Sequence, residues 1–278
     1  MRLGAPVFVN DKDFEAQALA NAAKGYRAAY CPEGLSLNDS AGIAAAAAAY
    51  KKHDLVIAEV GVWRNLLDPD PAKAKSAREY CIEKLALSDA LGARCCVNTL
   101  GSYNSDRWYG FAESSSYGKA FFDAAVQVYR SVIDAVKPKH TKMSFETMPY
   151  YFLDGPDEYL GFLKAMDREA AGVHLDIVNC INSPRRYFDT AALIEDTFKK
   201  LGPIALSCHL KDMQMYDEDC QVQFREVLAG TGNFNIRHYL VCAQKYGDAD
   251  LPVMLEHLHS EEEYDRAYKH VSGIFAEL

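Results

Sequence analysis

Gly172-Val-His-Leu-Asp-Ile177 is a short apolar run that closes on a carboxylate. Three other runs repeat the pattern. Met143-Ser-Phe-Glu146 and Pro252-Val-Met-Leu-Glu256 end in a carboxylate, and Ser207-Cys-His209 ends in an imidazole. A short apolar run bounded by turn residues reads as a strand buried on both faces, the kind found in parallel sheets. The ionisable residue then falls at the C-terminal end of the strand.

Working outward, the same kind of run recurs along the whole chain. Strand-like segments occupy residues 2–9, 26–31, 55–62, 94–100, 142–147, 172–177, 204–210 and 251–255. A helical segment follows each. The first starts at Asp13, the second near Asn38 or Asp39 with six consecutive alanines, and the third at Pro71, ending near Leu91 before Gly92. Proline at the first turn and glycine past the end are the usual helix punctuation. Further helices are predicted over 119–136, 156–166, 189–201, 236–246 and from Ser260 onward. Residues 101–118 and 211–233 read as long loops, the first rich in aromatics.

Eight strands alternating with helices predict a parallel (β/α)₈ barrel. The rival is an open doubly wound sheet. No G-x-G-x-x-G follows the first strand, and the strand-end charges suit a barrel, whose active site forms there. With no linker and no shift of composition, residues 1–278 read as one domain.

The 278 residues carry a formal net charge of −9, and 49% are hydrophobic. That balance excludes fibrous and disordered classes. A pI near 5.4 argues against nucleic acid as a partner. No apolar stretch is long enough to span a bilayer. The N-terminal segment lacks the features of a signal peptide, and the eight cysteines include no C-x-x-C pair. Cytoplasmic location is the expectation, with the cysteines as small core residues.

Glu146, Asp176, His209 and Glu256 are the candidate site. Three carboxylates near one barrel axis would repel each other, and a divalent cation resolves the cluster. Three oxygen donors and one nitrogen suit manganese, magnesium, cobalt or zinc. Trp63, Arg64 and Asn65 end the third strand, and Trp63 and Asn65 are candidate substrate contacts. Asn98, flanking the fourth strand, could donate to hydroxyls. Lys211 could contact the substrate. Asp212 is expected to orient His209 or approach the metal, and Arg225 to reach over the site. His257 is expected to point away, by strand alternation.

Taken together, the segments Ile57-Ala-Glu-Val-Gly-Val-Trp63, Leu91-Gly-Ala-Arg-Cys-Cys-Val-Asn98, Ser144-Phe-Glu-Thr147, Val173-His-Leu-Asp176, Cys208-His-Leu-Lys-Asp212 and Val253-Met-Leu-Glu256 resemble the xylose isomerase-like barrels known as sugar phosphate isomerases/epimerases. The resemblance covers nearly the whole chain. It implies that Glu146, Asp176, His209 and Glu256 hold one divalent metal ion. It also implies a sugar or polyol substrate, and a dimer or tetramer as the assembly. Gly230-Thr-Gly-Asn233 looks like the family's Gly-x-Gly turn, with Thr231 in place of the usual acid. Ketose 3-epimerases carry a histidine three residues after the strand-six aspartate. Here that position is Asn179, whose amide can hold a hydroxyl but cannot supply a proton. Histidines matching those of endonuclease IV are missing from strands two and three.

The expected reaction is isomerisation or epimerisation of a ketose, aldose or related polyol through an enediolate. Glu146 and Glu256 would move the proton. The alternative is a lyase or dehydratase of the inosose dehydratase type, or C-glycoside cleavage, on the same site. A sugar-binding barrel without turnover is the third reading.

Overall fold

The computed structural model describes residues 1–9 and 13–278. The barrel strands are β1 Arg2–Gly4, β2 Ala28–Tyr30, β3 Val56–Gly61, β4 Cys95–Asn98, β5 Met143–Phe145, β6 Ala171–Asp176, β7 Ala205–Leu210 and β10 Pro252–Leu255. They close in the order β1-β10-β7-β6-β5-β4-β3-β2, and every neighbouring pair is parallel. The helices are α1 Phe14–Ala23, α2 Ser40–Lys52, α3 Pro71–Leu91, α4 Lys119–Val136, α5 Pro156–Met166, α6 Pro184–Phe188, α7 Thr190–Leu201, α8 Ile236–Tyr246 and α9 Glu261–Ala276. The predicted (β/α)₈ barrel is therefore the observed one. Among the described residues, no helix is long and apolar enough to cross a membrane.

Local chemistry explains the helix limits. Asp70 accepts hydrogen bonds from the Ala72 and Lys73 amides, Pro71 opens α3, and Gly92 ends it at φ 73°. That left-handed conformation favours glycine. β1 is shorter than the run 2–9 and hugs its neighbours. A Cβ on Gly4 would stand 2.2 Å from the Ala28 carbonyl oxygen, so only glycine lets β1 lie this close to β2. Ala28, Ala58 and Met254 form a small apolar cluster.

The segment 211–233, expected as a loop, contains an antiparallel hairpin. β8 Asp212–Tyr216 pairs with β9 Gln223–Val227, with Gln214 opposite Arg225. A short helix, α6, lies between the run 172–177 and the helix predicted over 189–201, and it carries Arg185 and Arg186. Arg186 donates to the carbonyls of Asp154 and Cys180 at 2.7 Å each.

Tyrosines from the surrounding segments hold the strand ends. The Tyr239 hydroxyl of α8 donates to the His209 carbonyl at 3.0 Å. Tyr159 of α5 donates to the Phe145 carbonyl at 2.6 Å and accepts from the His174 amide at 3.2 Å. Tyr151 donates to the Glu146 carbonyl. These carbonyls and amides are buried, so each needs a partner. The same bonds fix the backbone at two of the four candidate ligands, His209 and Glu146.

Candidate metal and active centre

Four strand ends on one arc of the barrel, β10-β7-β6-β5, bring Glu256, His209, Asp176 and Glu146 together. Their ligand atoms all lie within 4.8 Å of one another. His209 Nδ1 is 3.0 Å from Glu256 Oε2, 3.2 Å from Glu146 Oε1 and 3.9 Å from Asp176 Oδ2. All four residues are buried.

Glu59 of β3 completes the cluster from the other side. The His209 Nε2–H donates to Glu59 Oε1 at 3.2 Å. Its second oxygen lies 3.4 Å from His174 Nδ1. His174 packs edge-on to His209, with ring centroids 4.2 Å apart, and bonds Ser207 Oγ at 2.6 Å. Burial pushes the His174 pKa well below its ordinary value, and the neighbouring His209 charge adds to this, so His174 is neutral.

The charges are unbalanced. Burial raises the Asp176 carboxyl to about 8, with Lys211 opposing and Glu256 and Glu146 adding to the rise. Burial alone would lower the His209 pKa, but the charges of Glu256 and Glu59 outweigh it and hold it well above the ordinary range. Lys211 is buried and lies 2.6 Å from Glu256 Oε1, 2.7 Å from Asp176 Oδ2 and 3.0 Å from Glu226 Oε1. Its approach to Asp176 Oδ2 is a charge pair without hydrogen-bond geometry, which leaves that buried oxygen with no donor. An orphaned carboxylate oxygen beside a ring nitrogen that faces three carboxylates fits a divalent cation. With Nε2–H committed to Glu59, Nδ1 can present its lone pair to the metal, the usual way a histidine ligand is oriented.

Above the cluster opens a cavity of about 730 Å³. Trp63, Asn179, Glu226, His257, Trp108 and Tyr150 are among its walls. Trp63 has φ 51°, and its ring lies 6.4 Å from that of His209. A Cβ on Gly61 would stand 2.2 Å from the Trp63 indole nitrogen, so the glycine makes room for the ring. Asn179 reaches the cavity wall while its backbone amide donates to Asp176 Oδ1 at 3.2 Å.

Several expected contacts lie elsewhere. Asn98 Oδ1 accepts from the Arg64 amide at 2.9 Å, and Nδ2 donates to the Arg64 carbonyl and the Tyr129 hydroxyl. Asn65 bonds the Ser102 amide and carbonyl, the Asn104 carbonyl and the Leu67 amide. Both amides are spent on holding the 101–118 loop and its neighbour rather than facing substrate. Asp212 accepts from the amides of Met213, Gly230, Gly232 and Phe234 at 2.8–3.0 Å. It knots the Gly230-Thr-Gly turn and does not orient His209.

Arg225 also departs from its expected place. It is half exposed, stacks 4.8 Å over the Tyr216 ring and faces Glu218. Its neighbour Glu226, on the opposite face of β9, reaches the cavity instead. His257 reverses the expectation in the other direction. The strand stops at Leu255, and His257 takes φ 57°, so alternation no longer governs it. Its Nδ1 lies 2.8 Å from Glu226 Oε2. Sequence reasoning missed Glu59, Glu226 and the siting of His257. For Glu59 a signal existed: a carboxylate inside the otherwise apolar run Ile57-Ala-Glu-Val60 has no cheap place except a polar barrel interior.

Solved structures of low identity share this fold. Endonuclease IV from Thermus thermophilus superposes with a TM-score of 0.72 at 14% identity, over 100% of each chain. D-Psicose 3-epimerase from Clostridium cellulolyticum, solved with D-tagatose, gives 0.69 at 15% identity, over 100% of this chain and 99% of that one. A xylose isomerase-like TIM barrel protein from Mycobacterium smegmatis, in complex with magnesium, gives 0.63 at 15% identity, over 95% and 88%. A search of curated protein sequences finds no match. The sequence pattern of the xylose isomerase-like TIM barrel runs through residues 17–273, and on that match, with the closed barrel described above, the chain belongs to this family.

Proposed function

We propose that the protein is a divalent-metal-dependent isomerase or epimerase of a ketose, aldose or related polyol, acting by proton transfer through an enediolate. One observation carries the reading. Glu146 and Glu256 stand at the two ends of a four-strand arc, with Asp176 and His209 between them. A small substrate in the cavity would lie between two carboxylates on different sides.

Glu146, Asp176, His209 and Glu256 would hold the metal. When bound, such an ion polarises a carbonyl and stabilises the negative charge that proton loss creates. The chain's own groups supply the rest. A carboxylate oxygen of Glu146 or Glu256 takes the proton from carbon, and the other glutamate returns one. Return to the opposite face of the same carbon gives epimerisation, and return to the next carbon gives isomerisation. The Lys211 ammonium, set behind the cavity wall, neutralises part of the charge of Glu256, Asp176 and Glu226. Trp63 offers an apolar face to a sugar ring, and Asn179 an amide to a hydroxyl. Trp108, Tyr109 and Tyr150 narrow the mouth and limit water at the reacting carbon. Glu226 and the other carboxylates make the cavity acidic, which favours a neutral polyol over a polyphosphate.

The aromatic mouth also supports a second reading on the same residues. Loss of a hydroxyl or of an aryl group from the enediolate would make the protein a lyase.

The test is deuterium incorporation. Metal-replete protein is incubated in D₂O with ketoses, aldoses and inososes. The expected result is one carbon-bound deuterium without loss of water, reduced by at least about 10²-fold in Glu256→Gln. Loss of water in the product favours the lyase. Full exchange in the Glu256→Gln variant removes that glutamate from the mechanism.

A further inference from the structure

Outside the barrel, α7 and α8 bring together three side chains of different ligand type. Glu195 lies on α7. His238 and Cys242 lie one turn apart on α8, a spacing that puts both on one face. Cys242 Sγ is 3.1 Å from Glu195 Oε2 and 3.5 Å from His238 Nε2. His238 Nε2 is 3.4 Å from the same Glu195 oxygen. We propose that Glu195, His238 and Cys242 form a zinc-type cation site, separate from the barrel centre.

The spacing of the three atoms carries the inference. Zinc bonds to sulfur, imidazole nitrogen and carboxylate oxygen at tetrahedral angles separate S from N by about 3.6 Å, N from O by about 3.4 Å and S from O by about 3.6 Å. Two of the three observed separations match to within about 0.1 Å, and the third needs a small opening. A nitrogen, a thiol and a carboxylate together favour a borderline-soft ion over magnesium or calcium. The fourth position faces solvent, since His238 and Glu195 are each about one-third exposed on their side chains while Cys242 is buried.

The carboxylate is also pre-aimed. The Tyr246 hydroxyl donates to Glu195 Oε1 at 2.6 Å, and Lys199 and Lys245 approach that same oxygen at 3.8 and 3.7 Å. Oε2 is left to Cys242 and His238. Hydrogen bonding of the non-ligating atom is how carboxylate ligands are commonly oriented. Without a cation the thiol keeps its proton. Burial, and then Glu195, push Cys242 up to about 12. On binding, a sulfur–metal bond replaces the S–H bond, and the proton goes to buffer, with no change of oxidation state. Lys199 and Lys245 offset part of the negative charge, so selection rests on the thiolate and imidazole donors rather than on net charge. The bound ion would clip α7 to α8, the helix whose Tyr239 holds the His209 carbonyl.

The experiment is titration of the full, reduced protein with Co²⁺ alone, followed by absorption spectroscopy. The barrel centre has only oxygen and nitrogen donors, so a thiolate-to-cobalt charge-transfer band reports the outer site. Two equivalents of Co²⁺, enough for the barrel centre and the outer cluster together, should produce the band, and Zn²⁺ should bleach it. Cys242→Ser should abolish it. His238→Ala, on the exposed side and safer for folding, should weaken the affinity at least ten-fold. Asp176→Asn should leave it intact, which keeps this inference apart from the barrel reading. Absence of the band in the wild type overturns the proposal. So does a band that survives Cys242→Ser, which would place the cobalt on another thiol such as the exposed Cys220, and so does unchanged affinity in His238→Ala.

Discussion

Glu59 decides which nitrogen of His209 is available. Its carboxylate takes the Nε2–H at 3.2 Å, and Nδ1 is left facing Glu146, Asp176 and Glu256. Glu59→Gln keeps the shape but removes the charge that makes the ring a strong donor. Metal affinity should fall about 10–100-fold, read by calorimetry, with an unchanged circular dichroism spectrum. Unchanged affinity would make Glu59 a packing residue. A second contrast tests the face of β9. Glu226→Gln should impair turnover, because Glu226 touches Lys211 and His257. Arg225→Ala should leave KM unaltered, because Arg225 faces outward; the reverse ranking in steady-state kinetics would overturn this assignment. At this scale the sequence showed three carboxylates and an imidazole at the ends of four of the eight strands, and these are the four residues the barrel gathers. It concealed groups whose direction depends on geometry beyond a strand. His257 needed a positive φ, and the choice between Arg225 and Glu226 needed the phase of an unforeseen hairpin.

Asp212 does at the level of elements what Glu59 does for one ring. Its two oxygens take four backbone amides and thereby join the start of β8 to the turn at 230–234. Asp212→Ala would strand those amides in a buried setting. Hydrogen bonds to a charged group contribute about 1.5–3 kcal/mol. A loss of about that size is expected in urea unfolding, together with a raised KM as the hairpin loosens over the cavity. A loss below about 0.5 kcal/mol would mean that water replaces the carboxylate. The helices were legible because their end signals are local: Pro71 and Gly92 bound α3 as expected, and Asp70 proves to be its cap. The β8–β9 hairpin was not, because Asp-Met-Gln-Met-Tyr216 and Gln-Phe-Arg-Glu-Val227 are short alternating runs separated by a charged turn. Their pairing becomes favourable only once the barrel anchors both ends. The run 2–9 overstated β1, because pairing there stops at Gly4.

Across the whole molecule, the barrel gathers buried carboxylates on one arc of strands, and an ion bound there would couple metal binding to stability. Four candidate ligands come from β5, β6, β7 and β10, so an ion they share ties together strands far apart in sequence. Without it, burial together with Glu256 and Glu146 raises the Asp176 carboxyl to about 8, and its Oδ2 has no donor. A ligand that binds only the folded state, at a hundred times its Kd, adds about 2.7 kcal/mol. For a chain of this size each kcal/mol moves Tm by roughly 2–3 °C, so saturating Mn²⁺ should raise the Tm of chelator-treated protein by about 5–8 °C. The measurement belongs in the His238→Ala background, where the outer cluster binds at least ten-fold more weakly and adds correspondingly less to the shift. The shift should vanish in Asp176→Asn, and that variant without metal should melt close to chelated wild type, because burial raises the Asp176 carboxyl to about 8 and already keeps most of it uncharged near pH 7. A shift that persists in Asp176→Asn would locate the ion elsewhere and dissolve the link between the acidic arc and the chemistry proposed for it.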